Sequence, residues 1–181
     1  YNKVYSENVV LMDILTQLGE LAFASRLRRL GERLQKEVSH LYKKLGIDFE
    51  ARWFAILITL SHDAPITVTA LAKKVHLTHT AINQIAAEMM AKGYLTWSPA
   101  QDDGRKRLLV LTPAGLQVLQ QLWPIWEEVR AATSEVLAAT GCDVITALND
   151  IERQLDQHDM YERVWLRLKG HLPAEIEIIE Y

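Results

Sequence analysis

The chain has 181 residues, 49% of them apolar and 24% charged, with a formal net charge of −3. That length and balance fit one compact globular, soluble domain with extensions, and no apolar run approaches the length of a membrane span. The one cysteine, Cys142, excludes an internal disulfide framework and fits a reducing, cytoplasmic setting.

The charge is unevenly spread. Residues 1–49 hold 8 Lys/Arg against 6 Asp/Glu, residues 50–112 hold 7 against 5, and residues 113–181 hold 5 against 12. The acidity therefore sits at the C-terminal end, while the middle of the chain is mildly basic. A small local excess of positive charge serves a polyanion if it lies on one face.

Residues 1–6 carry no pattern, and Ser6 is a candidate helix cap. Residues 9–23 are apolar but interrupted by Asp13, Gln17 and Glu20, so they read as neither a signal peptide nor an anchor. From Asn8 to Leu45 the pattern is helical: Leu27, Leu30, Leu34, Val38, Leu41 and Leu45 form one long stripe. Gly19 or Gly31 is expected to bend so long a helix. The stripe suits packing against partner helices, and Arg26, Arg28, Arg29 and Arg33 are expected to be solvated or paired with the acidic C-terminal helices.

Gly46 closes that helix, and Asp48 is a candidate cap for a second one over Phe49–Ser61, with Trp53, Phe54, Leu57 and Leu60 on its core face. Arg52 could reach a phosphate from its start. His62 to Pro65 reads as a turn, and Ile66 as a short strand. Thr67 caps a short helix with Val68, Leu71, Ala72 and Val75 inward; Lys73 and Lys74 near its end suit the sugar–phosphate backbone, or simply solubility.

After a turn at His76–Thr78, a helix runs from Thr78 to Lys92. Its apolar residues Ile82, Ile85, Met89 and Met90 make one buried stripe. The outward positions are then His79, Thr80, Asn83 and Gln84. These are uncharged hydrogen-bonding groups rather than the Glu and Lys of a solvated face, and with Thr78 they suit the base edges of a DNA major groove. The plainer reading is a capped helix with polar surface. His76 and His79 lie three apart, but the turn offers no further ligand, so no metal and no cofactor is expected.

Lys92-Gly93 ends the helix. Tyr94–Ser98 is rich in β-formers, Pro99–Arg107 is a loop with clustered cations, and Leu108–Leu111 is a second strand. A helix-turn-helix followed by a basic hairpin is a winged helix. The segment resembles the MarR (multiple antibiotic resistance regulator) family of bacterial transcription regulators. The resemblance is carried by Leu71-Ala72, Leu77-Thr78, Lys92-Gly93-Tyr94-Leu95, Asp103-x-Arg105 in the wing, Val110-x-Thr112 and Gly115. One departure is Gly104, where the family usually has Arg. The charge is kept in Arg105, Lys106 and Arg107, so which of these enters the minor groove stays open, with Asp103 as a structural wing residue.

Thr112-Pro113 opens a helix to about Ala139, with Leu116, Leu119, Leu122, Trp123, Trp126 and Val129 as its apolar side and Pro124 expected to kink it. By resemblance, an effector pocket lies where such a helix meets the first two, with Trp53, Trp123 and Trp126 as candidate walls; core packing is the plainer reading of each. Cys142 lies in the Gly141–Asp143 turn. Family members that sense oxidants carry their cysteine elsewhere, so it reads as a bystander. A last helix is expected over Val144–Lys169 with a near-heptad seam that suits pairing across a dimer. His158 falls near that seam. Residues 174–181 start like a strand, similar to the first strand of the acetyltransferase half in a branch that fuses a MarR-like half to a GNAT-type enzyme.

The sequence therefore implies a mainly α protein with a small β-hairpin wing (α+β). It comprises an N-terminal dimerisation helix (1–48), a winged helix-turn-helix lobe (49–115), C-terminal dimerisation helices (116–170) and a tail or the start of a further domain (171–181). The expected function is a homodimeric regulator of transcription that binds double-stranded DNA and responds to a small-molecule effector. It is not expected to be an enzyme, since no nucleophile signature, paired carboxylates or phosphate loop is legible. The alternatives are the regulatory half of an acetyltransferase fusion, or a winged helix used for protein contact.

Overall fold

The computed structural model describes residues 13–99 and 107–170. The expected cap at Ser6, the helix start at Asn8, the wing residues Asp103 to Lys106 and the 171–181 tail lie outside these residues. The chain divides into two compact units, residues 1–126 and 127–181.

The long N-terminal helix is broken once. A turn of helix α1 (Ile14–Gln17) ends at Gly19, whose φ of +54° is a conformation that favours glycine, and a 3-10 turn leads into α2 (Phe23–Lys44). Gly31 lies inside α2 without interrupting it. The arginines of this region pair locally rather than with the acidic end of the chain: Arg28 with Glu32, Arg33 with Glu37, and Arg29 with Asp13.

Helix α3 (Phe54–Asp63) follows a 3-10 turn at Ala51–Trp53. Asp48 does not cap it. The Asp48 carboxylate pairs with Lys92, and its carbonyl accepts the Tyr94 hydroxyl at 2.9 Å. The helical segment starts only at Ala51, with Glu50 in the cap position, which leaves Asp48 outside it. Phe54 is also more exposed than the sequence pattern implies, at 43%, and Ile56 takes the core position instead.

Helix α4 (Val68–Val75) is capped by Thr67, whose hydroxyl accepts from the Ala70 amide at 3.1 Å. It ends at His76 in the left-handed region, φ 52°, so that the Leu77 amide returns to the Ala72 carbonyl at 3.1 Å. Helix α5 (His79–Ala91) then buries Ile82, Ile85, Ala86 and Met89. Strands β1 (Leu95–Pro99) and β2 (Arg107–Leu111) pair antiparallel, Leu95 opposite Leu111 and Trp97 opposite Leu109. Ile66 exchanges both backbone hydrogen bonds with Leu109, at 2.8 and 3.2 Å, but as a single bridge beside a two-stranded sheet rather than the short third strand that the sequence implies.

Helix α6 (Pro113–Ala138) is capped by Thr112, whose hydroxyl accepts from the Gly115 amide at 3.0 Å and donates to the Gly93 carbonyl. Its inward face is Gly115, Val118 and Leu122; Leu116 and Trp123 are half exposed, so the stripe is offset from the one read in the sequence. The cause is Gly115, which carries no apolar signal yet touches the wing: a Cβ there would overlap the Tyr94 carbonyl oxygen.

The last helix is two. Helix α7 (Val144–Gln157) and α8 (Met160–Lys169) are separated by His158, which is extended, and by Asp159, which caps α8 through the Glu162 amide at 2.8 Å. Arg163 spans the break, donating to the Gln154 and His158 carbonyls. His158 is exposed beside Glu162 and does not lie on a continuous seam.

Replacing Gly115 by Ala forces the α6 start away from the Tyr94 carbonyl. The expected loss is about 1–3 kcal/mol, the usual cost of overpacking, read as a lower urea midpoint with an unchanged slope. An unchanged midpoint would show that α6 moves freely against the wing.

Candidate nucleic-acid interface

The core explains how α5 is presented. At 100° per residue, Ile82, Ile85, Ala86 and Met89 share one side of the helix, and all are buried. Thr80, Asn83 and Gln84 are therefore turned outward; His79 lies on the side of the stripe but is the first residue of the helix, and all four are exposed. Ala87 joins the same face and is also exposed. The sequence reading passed over it because its small side chain carries no polar signal, yet it allows close approach to the middle of the face.

The start of α5 is held by Thr78. Its hydroxyl oxygen accepts from the Ala81 amide at 3.1 Å, so its acceptor role is used locally and its exposed O–H remains a donor. His79, Thr80 and Asn83 have no side-chain partner among the described residues. Gln84 does: its amide donates to Glu88 Oε1 at 3.4 Å. Of the two lysines ending α4, Lys74 pairs with Asp63 at 3.1 Å, while Lys73 has no partner among the described residues. Arg107 is exposed at the first position of β2, opposite Pro99. Trp97, two pairs further along the ribbon, is 38% exposed. Thus α4, α5 and the loop end of the β-ribbon carry Lys73, Lys74, the polar face and Arg107 in one lobe. Asp103, Arg105 and Lys106 lie outside the described residues.

Glu88 is the functional residue that sequence reading missed. Its carboxylate takes Arg52 Nη2 at 2.5 Å and the Trp53 indole N–H at 3.1 Å on Oε2, and the Gln84 amide on Oε1. Arg52 is therefore tied to α5 and is not pointed at a phosphate. Desolvation pushes the Glu88 carboxyl up, but these donors outweigh it, with Arg52 foremost, and hold it below the usual carboxylate value. The signal was present as Arg52 and Glu88 in separate elements, and only the fold brings them together.

The three tryptophans proposed as effector-pocket walls are placed differently from one another. Trp53 is buried, edge-on to Phe49 at 5.5 Å. Trp126 is half buried, edge-on to Phe54 at 4.8 Å, and donates its indole N–H to the Tyr42 hydroxyl at 2.8 Å. Trp123 is half exposed beside Trp126. They form an aromatic chain, and none of them lines the cavity of about 600 Å³ found on α2.

Residues 45–106 match the model of the MarR family. The chain is similar to a MarR/EmrR family transcriptional regulator from Acinetobacter sp. ADP1, with 17% identity, 74% of this chain and 94% of that one covered, and a TM-score of 0.63. It is similar to a mutant MarR from E. coli complexed with operator DNA, with 19% identity, 79% and 99% covered, and a TM-score of 0.63. It is also similar to the PcaV regulator from Streptomyces coelicolor in complex with its natural ligand, with 22% identity, 71% and 90% covered, and a TM-score of 0.54. At such identities the likeness establishes the winged-helix fold. No curated protein matches the chain by sequence.

Because the Glu88 carboxyl titrates lower in the folded chain than its ordinary value of 4.5, its pairing stabilises the fold fully above that value. The contribution is lost as pH falls through the lowered value. The stability advantage of the native chain over Glu88→Gln is expected to hold from neutral pH to about 5 and then shrink toward pH 3, by urea unfolding at each pH. An advantage that stays constant over that range would mean that the Arg52 pairing contributes nothing to it.

Proposed function

We propose that this chain, whose winged helix is a MarR-family one, is a transcriptional regulator that binds duplex DNA as a homodimer and is modulated by a small-molecule effector. The observation that carries the reading is the exposed face of α5. Its Thr80, Asn83 and Gln84 side chains combine donors and acceptors, and they stand opposite a fully buried stripe. Such a face hydrogen-bonds base edges in the major groove, with Asn or Gln bidentate to adenine as the favoured geometry. Thr78 and His79 complete the reading end of the helix. Lys73 and Lys74 suit backbone phosphates, which position without specifying. Arg105, Lys106 and Arg107 of the wing suit the minor groove, with Asp103 shaping the hairpin.

Dimerisation is supported by what a single chain leaves uncovered. Leu27, Leu30, Leu34, Leu41 and Leu45 are each between 39% and 53% exposed along α2. In residues 127–170 no residue is fully buried, while Val136, Tyr161, Val164 and Leu166 are all at least 45% exposed. Apolar faces of this extent mark interaction surfaces. The division of labour proposed is a reading lobe over 49–115 with dimer helices over 1–48 and 116–170. Two lobes would then meet half-sites about one helical turn, roughly 34–36 Å, apart. An effector needs a coupling of only about 1–3 kcal/mol to make a useful switch.

Gln84→Ala should weaken binding to a selected operator by about 1–3 kcal/mol while leaving random-duplex affinity nearly unchanged, by fluorescence anisotropy. Equal losses on both would remove base reading by α5. A double Leu30→Lys, Leu34→Lys variant should run as a monomer in light scattering and lose operator affinity. A variant that stays dimeric would place the interface elsewhere.

A further inference from the structure

A cavity of about 600 Å³ opens along α2 and the segment that follows it. Lys36, His40, Lys43 and Lys44 line it from α2, and Glu50 and Arg52 line it from the far side. Ser39 fixes its floor: buried on α2, it accepts the Ala51 amide at 2.9 Å and so anchors the 3-10 turn that begins just before Arg52. At 100° per residue, Lys36, Ser39 and Lys43 share one side of α2, and Leu30, Leu34, Leu41 and Leu45 lie on the other. The cavity is thus turned away from the face assigned to the dimer, and a second copy seated on the leucines leaves it open.

The charges are not balanced within it. Lys43 pairs with Glu50 at 3.5 Å, and Glu32, also in the lining, is held by Arg28. Lys36, His40 and Lys44 have no side-chain partner among the described residues and are exposed. Two ammonium groups without counter-charge on an open concavity raise the positive potential there. A volume of this size holds a small molecule, and a lining of ammonium, imidazole and guanidinium groups selects oxyanions over aromatic hydrophobes.

Arg52 connects this cavity to α5, since it is one of the lining residues and its guanidinium holds Glu88, which in turn holds Gln84. We propose that the α2 cavity binds a small polyanionic metabolite carrying carboxylate or phosphate groups, and that the bound anion draws Arg52 from Glu88 and weakens DNA binding. Two effects act in the same direction. The Glu88 charge loses its neutralising partner on a helix that faces a polyanion, and the carboxylate without Arg52 holds the Gln84 amide more strongly than it does in the ion pair. The coupling half of this proposal rests on the DNA-binding reading; the anion site does not.

The test uses the full chain and follows the assigned Trp53 indole N–H signal by NMR, because that group donates to the same Glu88 oxygen as Arg52. Sodium citrate and inorganic phosphate are titrated at constant ionic strength into the native chain, a Lys36→Gln, Lys44→Gln double variant and Arg52→Gln. The signal is expected to move to saturation in the native chain only. Citrate is also expected to weaken its duplex affinity about fivefold or more, with no such effect on either variant. If neither anion moves the signal, there is no site. If duplex DNA itself moves it, while citrate is without effect and the double variant has a shallower salt dependence, the cavity seats backbone phosphates and the metabolite reading is wrong. If citrate moves the signal but no duplex binds at low salt, the anion site stands and the proposed function falls.

Discussion

The orientation of α5 is the constraint on which everything functional depends, and one buried stripe sets it. Ile82, Ile85, Ala86 and Met89 are between 0% and 7% exposed, packed into the cluster that includes Leu57, Leu60 and Leu71. Burying such side chains is worth about 1.5–3 kcal/mol for each large one, far more than any single contact on the outer face. The helix cannot roll without exposing them. The polar face is therefore fixed by residues that never touch a ligand, and its chemistry can vary without cost to the fold.

Two polar ties then join α5 to the segment between α2 and α3. One runs from its C-terminal end, where Lys92 pairs with Asp48 and the neighbouring Tyr94 hydroxyl donates to the Asp48 carbonyl. The other runs from Glu88 to Arg52 and Trp53. Neither adds much stability, because exposed ion pairs contribute about 0–1 kcal/mol. Their importance is geometric. They bind the reading helix to the one stretch of chain that also receives Ser39 and lines the cavity, so a change at that stretch is felt by α5 before it is felt by the core. A tie of small energy suits this role better than a buried contact, since a ligand can compete with it.

Much of this was legible in the sequence, for reasons that differ between elements. Ile82, Ile85 and Met89 of the α5 stripe, the Thr67 cap and the wing strands announce themselves through period and local chemistry, and the structure has them, with Ala86 in place of Met90 completing the buried stripe. The α6 stripe was misread because Gly115 holds a packed position that no hydrophobicity pattern can reveal, which left Leu116 and Trp123 looking inward. The break before α8 was carried by Asp159 and Glu162, spaced as a cap and its partner, but the flanking apolar residues masked it. Asp48 looked like a cap because a cap is a local device, whereas its true partner Lys92 lies 44 residues away. Glu88 and Arg52 failed for the same reason. Long-range pairing leaves no local trace, and the cavity on α2 exists only once Arg52 is brought beside its lysines.

The charge distribution can now be given a physical reason. An overall charge of −3 opposes binding to a polyanion at long range, and it would be a poor design if spread evenly. Here 12 of the 23 acidic residues lie in residues 113–181, outside the lobe that carries α4, α5 and the wing. The lobe keeps its excess of cations where contact forces act, within the roughly 8–10 Å over which charges are felt at moderate salt. Under the proposed function, such a long-range repulsion weakens specific and non-specific binding alike, so discrimination rests on the hydrogen bonds that the α5 face forms at its own site. For a regulator of the proposed kind, which must discriminate among many competing duplex sites, that ratio of specific to non-specific binding matters more than raw affinity.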